Sequence, residues 1–135
     1  MYNEIEIQAV GLDTFIKLEF PKKDKIMSPW LDSSSLNMIH APRGIGKTHV
    51  AIGIAYALAT GNEFLGWKAT HPKKVLYIDG EMTASAMQDR FSKKLAEDAL
   101  SQENLKNLSI ITPDLQDRLM PDLASAQGQM EISKH

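Results

Sequence analysis

His40-Ala41-Pro42-Arg43-Gly44-Ile45-Gly46-Lys47-Thr48-His49 decides how the rest of the chain is read. Upstream lies the short apolar run Leu36-Asn37-Met38-Ile39. Downstream comes Val50-Ala51-Ile52-Gly53-Ile54-Ala55-Tyr56-Ala57-Leu58-Ala59, so a glycine-bearing loop is expected to join a strand to a helix. Glycines let a backbone curl until several N–H groups point at one anion, and a following helix adds the positive end of its dipole. In that context Lys47 is expected to reach the β- and γ-phosphates of a nucleotide, and Thr48 to place its hydroxyl on Mg²⁺. The rival reading is a Gly-rich turn before a helix whose lysine is merely exposed. One position departs from the full phosphate-loop pattern. Ala41 stands where its first glycine would, and is strained there if the position needs a positive φ.

The chain has 135 residues and is 43% hydrophobic, enough to fill one globular core. It has no cysteine, which excludes a disulfide scaffold and a thiolate metal site. Its longest apolar runs are too short to cross a bilayer, and no basic, apolar leader opens it; a soluble, cytoplasmic protein without a membrane partner is expected. A net charge of −2 gives no global case for nucleic-acid binding, although a local patch could exist.

Residues 1–35 are expected to form an amino-terminal extension packing on the core, and residues 36–135 the nucleotide-binding domain. In the extension, Glu4-Ile5-Glu6-Ile7 and Lys17-Leu18-Glu19-Phe20 alternate like short strands, while Pro21-Lys22-Lys23-Asp24-Lys25 reads as a solvated turn. Trp30 is expected to plug the core, with one wall of an adenine pocket as the alternative. Lys47 to Thr60 is apolar almost all round, as a helix covered on both sides should be, and Gly61 ends it. Gly53 inside that helix marks a close approach to a strand. Residues 62–73 read as a loop. Val75-Leu76-Tyr77-Ile78 has the form of a strand buried on both faces, completing a strand, helix, strand unit with parallel strands. Thr83 or Ser85 can cap the next helix, whose apolar face is Met87, Phe91, Leu95 and Ala99. A third strand over Leu108–Thr112 and a helix from Ser125 complete an α/β fold. His40, His49, His71 and His135 show no metal-ligand pattern.

Asp79-Gly80-Glu81 falls where the second strand meets its loop, and ligands of open α/β sheets bind at the carboxyl ends of the strands. Glu81 has the reach to orient a water for attack on the γ-phosphate; the alternative is a helix-start carboxylate favoured by the dipole near Thr83. Asp79 could support Mg²⁺ indirectly, or could only order the turn.

These residues resemble the RecA-type ATPases, and within them the hexameric replicative helicases and plasmid replication (RepA-type) helicases. Ala41 to Thr48 is similar to that group's variant phosphate loop, which accepts alanine first. Tyr77-Ile78-Asp79-Gly80-Glu81-Met82 followed by Arg90-Phe91 is similar to its second-strand motif. The resemblance implies a RecA-like P-loop fold with a mostly parallel sheet, in which ATP and Mg²⁺ are held by Ala41, Pro42, Arg43, Gly44, Ile45, Gly46, Lys47, Thr48 and His49. It makes Glu81 and Lys47 the catalytic pair, and moves the magnesium-positioning aspartate to a later strand that the chain does not reach. A cut-short amino-terminal part of a DNA-unwinding ATPase is therefore expected. Homohexamers, and single-stranded DNA bound through regions beyond residue 135, go with it. A P-loop small-molecule or regulatory kinase, and a nucleotide-sensing module without turnover, are the alternatives.

Overall fold

The computed structural model describes residues 7–98 and 102–135. Residues 7–25 are exposed throughout and hold one helical turn, α1 (Leu12–Phe15), beyond which the Phe15 and Phe20 rings meet with centroids 5.4 Å apart. Lys17-Leu18-Glu19-Phe20 is not a strand, because alternation alone does not supply a backbone partner. The alternating run at Glu4 lies outside the described residues, apart from the exposed Ile7.

Two short strands follow, β1 (Lys25–Ser28) and β2 (Leu31–Asp32), paired antiparallel and tied by Lys25 Nζ donating to Asp32 Oδ1 at 2.6 Å. Met27 of β1 is fully buried, and Trp30 packs against the same core cluster and edge-on to Trp67 with ring centroids 5.3 Å apart. Trp30 is thus the expected plug. Leu36-Asn37-Met38-Ile39 departs from expectation: it has no regular secondary structure and belongs to no sheet, with Leu36 wholly exposed and Met38 89% exposed. Its apolar pattern suits a strand, yet none of the described strands lies beside it to take its hydrogen bonds.

α2 (Lys47–Thr60) is the central helix. Residues Ile52 to Ala59 are all buried, because the helix touches the strands Glu63–Phe64, Trp67–Ala69, Val75–Ile78 and Leu108–Ile111. That accounts for its apolar circumference. Gly61 closes it at φ +78°, its N–H donating to Ala57 O. The segment read as a loop contains a hairpin, β3 (Glu63–Phe64) and β4 (Trp67–Ala69), which joins β1 in a four-stranded antiparallel sheet of order β2-β1-β4-β3. Gly53 is where Phe64 of β3 lies against the helix, and a Cβ at 53 would land on that ring. The hairpin turn has positive φ at both central residues, Leu65 at +52° and Gly66 at +79°, the pattern of a type I′ turn. Left-handed backbone costs a side-chain-bearing residue roughly 1–2 kcal/mol, and asparagine tolerates it better than leucine. Leu65 is exposed, so little packing is at stake. Leu65→Asn should raise stability by about 1 kcal/mol, read as a higher midpoint in urea with unchanged slope.

β5 (Val75–Ile78), α3 (Ala84–Glu97) and β6 (Leu108–Ile111) form a strand, helix, strand crossover, and β5 and β6 pair in parallel from Val75↔Leu108 to Ile78↔Ile111. The parallel sheet is this pair, and the antiparallel sheet is the larger, so the expected mostly parallel sheet is corrected. The reason is local: Leu36–Ile39 stays out of the sheet, and strands of two to four residues in the supposed loops pair with one another instead. Thr83 caps α3 by accepting from Ala86 N–H at 3.3 Å, and Met87 is buried while Phe91 meets Tyr77 edge-on at 5.9 Å. Ala99, expected on the same face, lies outside the described residues. Short 3₁₀ turns at Gln102–Asn107 and Pro113–Leu115 flank β6. α4 (Ala126–Ile132) begins at Ser125, whose hydroxyl accepts from Gly128 N–H. Among the described residues no helix is long and apolar enough to cross a membrane.

Candidate nucleotide-binding site

Two hydrogen bonds and the packing of α2 along the strands place the amino end of α2 at the same edge as the carboxyl ends of β5 and β6. Lys73 N–H donates to Leu58 O at 2.8 Å, which sets the start of β5 beside the last turn of α2. Asn107 Nδ2 donates to Ala59 O at 3.1 Å, which does the same for β6. α2 then packs along both strands, and its 14 residues span about 21 Å, so its first turn comes up near their far ends. The loop from Ala41 and the turn at Glu81 therefore face the same side of the molecule.

The loop has the backbone its glycines imply. Gly44 sits at φ +83° and Gly46 at +105°, and a Cβ on either would meet nothing within 4 Å, so the concavity they shape is open. Ala41 is not in the left-handed region, so alanine is unstrained there and the departure at this position carries no cost. Gly46 is also the N-cap of α2 and provides no capping side chain. Its helix therefore starts with uncapped N–H groups and the positive end of the dipole at the loop, which is what an anion site needs. Lys47 folds back over the loop, its ammonium donating to Ala41 O at 2.6 Å and to Pro42 O at 3.0 Å. Thr48 is half-buried beside it, while Pro42, Arg43, Ile45 and His49 are exposed. An open glycine cradle next to a lysine and a hydroxyl fits a phosphate chain with its Mg²⁺.

At the strand edge Asp79 orders the turn. Its Oδ1 accepts from both Glu81 N–H and Met82 N–H at 2.8 Å, while Asp79 N–H donates to Ile111 O across the parallel pair at 3.0 Å. Of the two roles open to Asp79 in the sequence, this is the one its hydrogen bonds display. Glu81 is exposed and directed by that turn, sharing no hydrogen bond or ion pair with Lys47 or Thr48 among the described residues. Asp114 adds a second constraint that sequence reasoning missed, for its Oδ2 accepts from Ala84 N–H at 2.7 Å and ties the segment after β6 to the start of α3. The signal is faint: Asp114 lies thirty residues from Ala84 in sequence, just past the end of the third strand.

Burial pushes the Tyr77 hydroxyl above its ordinary pKa, helped by the Asp79 carboxylate and opposed by the Arg90 guanidinium, so Tyr77 is neutral beside the turn. Burial, with the Asp98 carboxylate second, likewise pushes Tyr56 up to about 12. No group of three or more metal-ligating side chains occurs among the described residues. A family model described as an AAA domain matches residues 3–131. No match was found among curated proteins or among solved structures.

Proposed function

The chain belongs to the AAA domain family, a P-loop ATPase type, and on that premise we propose that it binds Mg·ATP in the loop from Ala41 to His49 and hydrolyses it with Glu81. The observation that carries this is the loop itself: two glycines at positive φ around an open cradle, a lysine already folded over it, and an uncapped helix start. On binding, Lys47 exchanges two carbonyl acceptors for phosphate oxygens, and the free N–H groups at the start of α2 take further ones. Mg²⁺, held through the Thr48 hydroxyl, would neutralise charge between the β- and γ-oxygens. Glu81 orients the attacking water, and Asp79 keeps Glu81 in place. The finer part of the proposal is that turnover drives DNA unwinding by a cytoplasmic ring of identical subunits, and the sequence Glu81-Met82 with Arg90 following is what supports it.

Calorimetric titration with ATP tests the core of this reading. Binding should be seen with Mg²⁺ and should weaken when the metal is chelated. Thr48→Val keeps the shape but has no oxygen for the ion, so it should abolish that metal dependence while leaving metal-free binding unchanged. Absence of binding to the folded wild-type protein would remove the proposal.

A further inference from the structure

Below the phosphate loop, between the first turns of α2 and the middle of α3, lies a second cleft of about 190 Å³. Its walls include His49 and Gly53 from α2, Phe64 from β3, and Arg90, Lys93 and Lys94 from α3. The spacing i, i+3, i+4 puts the three α3 cations on neighbouring positions of one helix face. Against them the cleft offers one carboxylate, Glu97, which stands 4.0 Å from Lys94. Among the described residues, Arg90 and Lys93 take part in none of the ion pairs. Lys94 is held with its ammonium 5.4 Å from the Phe64 ring centroid. Phe64 can lie there because residue 53 has no side chain.

A chain of net charge −2 has thus gathered three basic side chains and a histidine around one hollow. Like charges at this helical spacing repel by a few tenths of a kcal/mol per pair, a cost that an anion in the hollow would reverse. His49 also stands in the first turn of α2, where the helix dipole favours negative charge. The volume is below the roughly 300 Å³ at which pockets begin to hold whole drug-sized ligands, so the hollow suits one anionic group rather than a nucleotide. The chemistry best matched by a guanidinium fork and two ammonium groups is phosphate.

We propose that this cleft binds a phosphate group additional to those at the glycine loop, presented by a polyanion, either a polyphosphate or the backbone of a single-stranded nucleic acid. The site does not depend on the nucleotide reading: if ATP failed to bind the glycine loop, the cleft and its cations would be unchanged.

Fluorescence anisotropy of a labelled oligothymidylate with the 135-residue protein, over a series of salt concentrations, tests this directly. With one backbone phosphate engaged, log K should fall against log salt with a slope of about −0.7, the single-strand value per phosphate. Lys93→Gln should weaken binding about tenfold and flatten the slope, as should Arg90→Gln. Lys134→Gln, with the same charge change outside the cleft, should leave both values as in the wild type. Lys93 is exposed and lies outside the glycine loop, so Mg·ATP affinity of Lys93→Gln should match the wild type and report an intact fold. Inorganic tripolyphosphate, added at constant ionic strength, separates the two sources. If it displaces the oligonucleotide, or binds on its own in a way that Lys93→Gln weakens, the cleft takes phosphate from any polyanion; if it does neither, a strand backbone is the ligand. The proposal is overturned if neither probe binds, or if Lys93→Gln and Arg90→Gln bind no differently from Lys134→Gln.

Discussion

Lys47→Ala should lower the affinity for Mg·ATP by about 10²-fold, with little change in the unfolding midpoint. The magnitude follows from the geometry. In the free protein the Lys47 ammonium donates to Ala41 O and Pro42 O, so it is already poised across the mouth of the loop and needs no large rearrangement to meet a phosphate. A hydrogen bond to a charged group contributes about 1.5–3 kcal/mol, and each 1.4 kcal/mol is a decade of affinity. Stability should be nearly unaffected because the buried part of α2 runs from Ile52 to Ala59, away from the loop. Two lost carbonyl partners do loosen residues 41–42, so part of the effect is conformational. Lys47→Arg tells the components apart, since it restores the charge but not the compact ammonium. If Lys47→Ala folds and binds Mg·ATP as tightly as the wild type, the loop is a turn and not a phosphate site.

The parts of the molecule that were legible in sequence are those whose signals are local and repeated. The apolar circumference of α2, the Gly61 stop, the Thr83 cap and the runs at Val75 and Leu108 each point to one element, and each element is there. The four-stranded sheet was not legible. Its strands are two to four residues long, too short for any period, and its hairpin turns on Leu65-Gly66, where the usual signal would be Asn-Gly. Leu36–Ile39 departs from its pattern for the opposite reason, since an apolar run states a preference but cannot provide a neighbouring strand. The same split holds for the sites. Gly44, Gly46, Lys47 and Thr48 are contiguous and could be read directly. The links that hold the strand edge and α2 in register, Asn107 to Ala59, Asp114 to Ala84 and Asn62 to Asp98, join residues 30 to 48 apart and exist only after folding. The cationic cleft is of the same kind: the α3 cations are visible in the sequence, but their meeting with His49 and Phe64 is tertiary.

Glu81→Gln should leave Mg·ATP affinity within about twofold and lower turnover by about 10²–10⁴, the usual contribution of a positioned general base, in whatever assembly of the protein hydrolyses ATP. The amide keeps the shape of the side chain and its place in the turn, because the turn is fixed through the backbone N–H of Glu81 and not through its carboxylate. In the proposed role, what is lost is the charge that would orient a water and accept its proton. Asp79 offers the necessary control. Asp79→Asn retains an oxygen at Oδ1 to accept from Glu81 N–H and Met82 N–H, so the turn should persist and turnover should fall little. Asp79→Ala releases both N–H groups, which lets Glu81 leave its position, so it should approach the rate of Glu81→Gln without altering any charge on Glu81. That ordering, with Asp79→Asn fast and both Asp79→Ala and Glu81→Gln slow, is what a positioning aspartate behind a catalytic glutamate produces. The reverse ordering, with Asp79→Asn inactive and Glu81→Gln active, would exchange the two roles and make the charge of Asp79 the one that matters at the γ-phosphate.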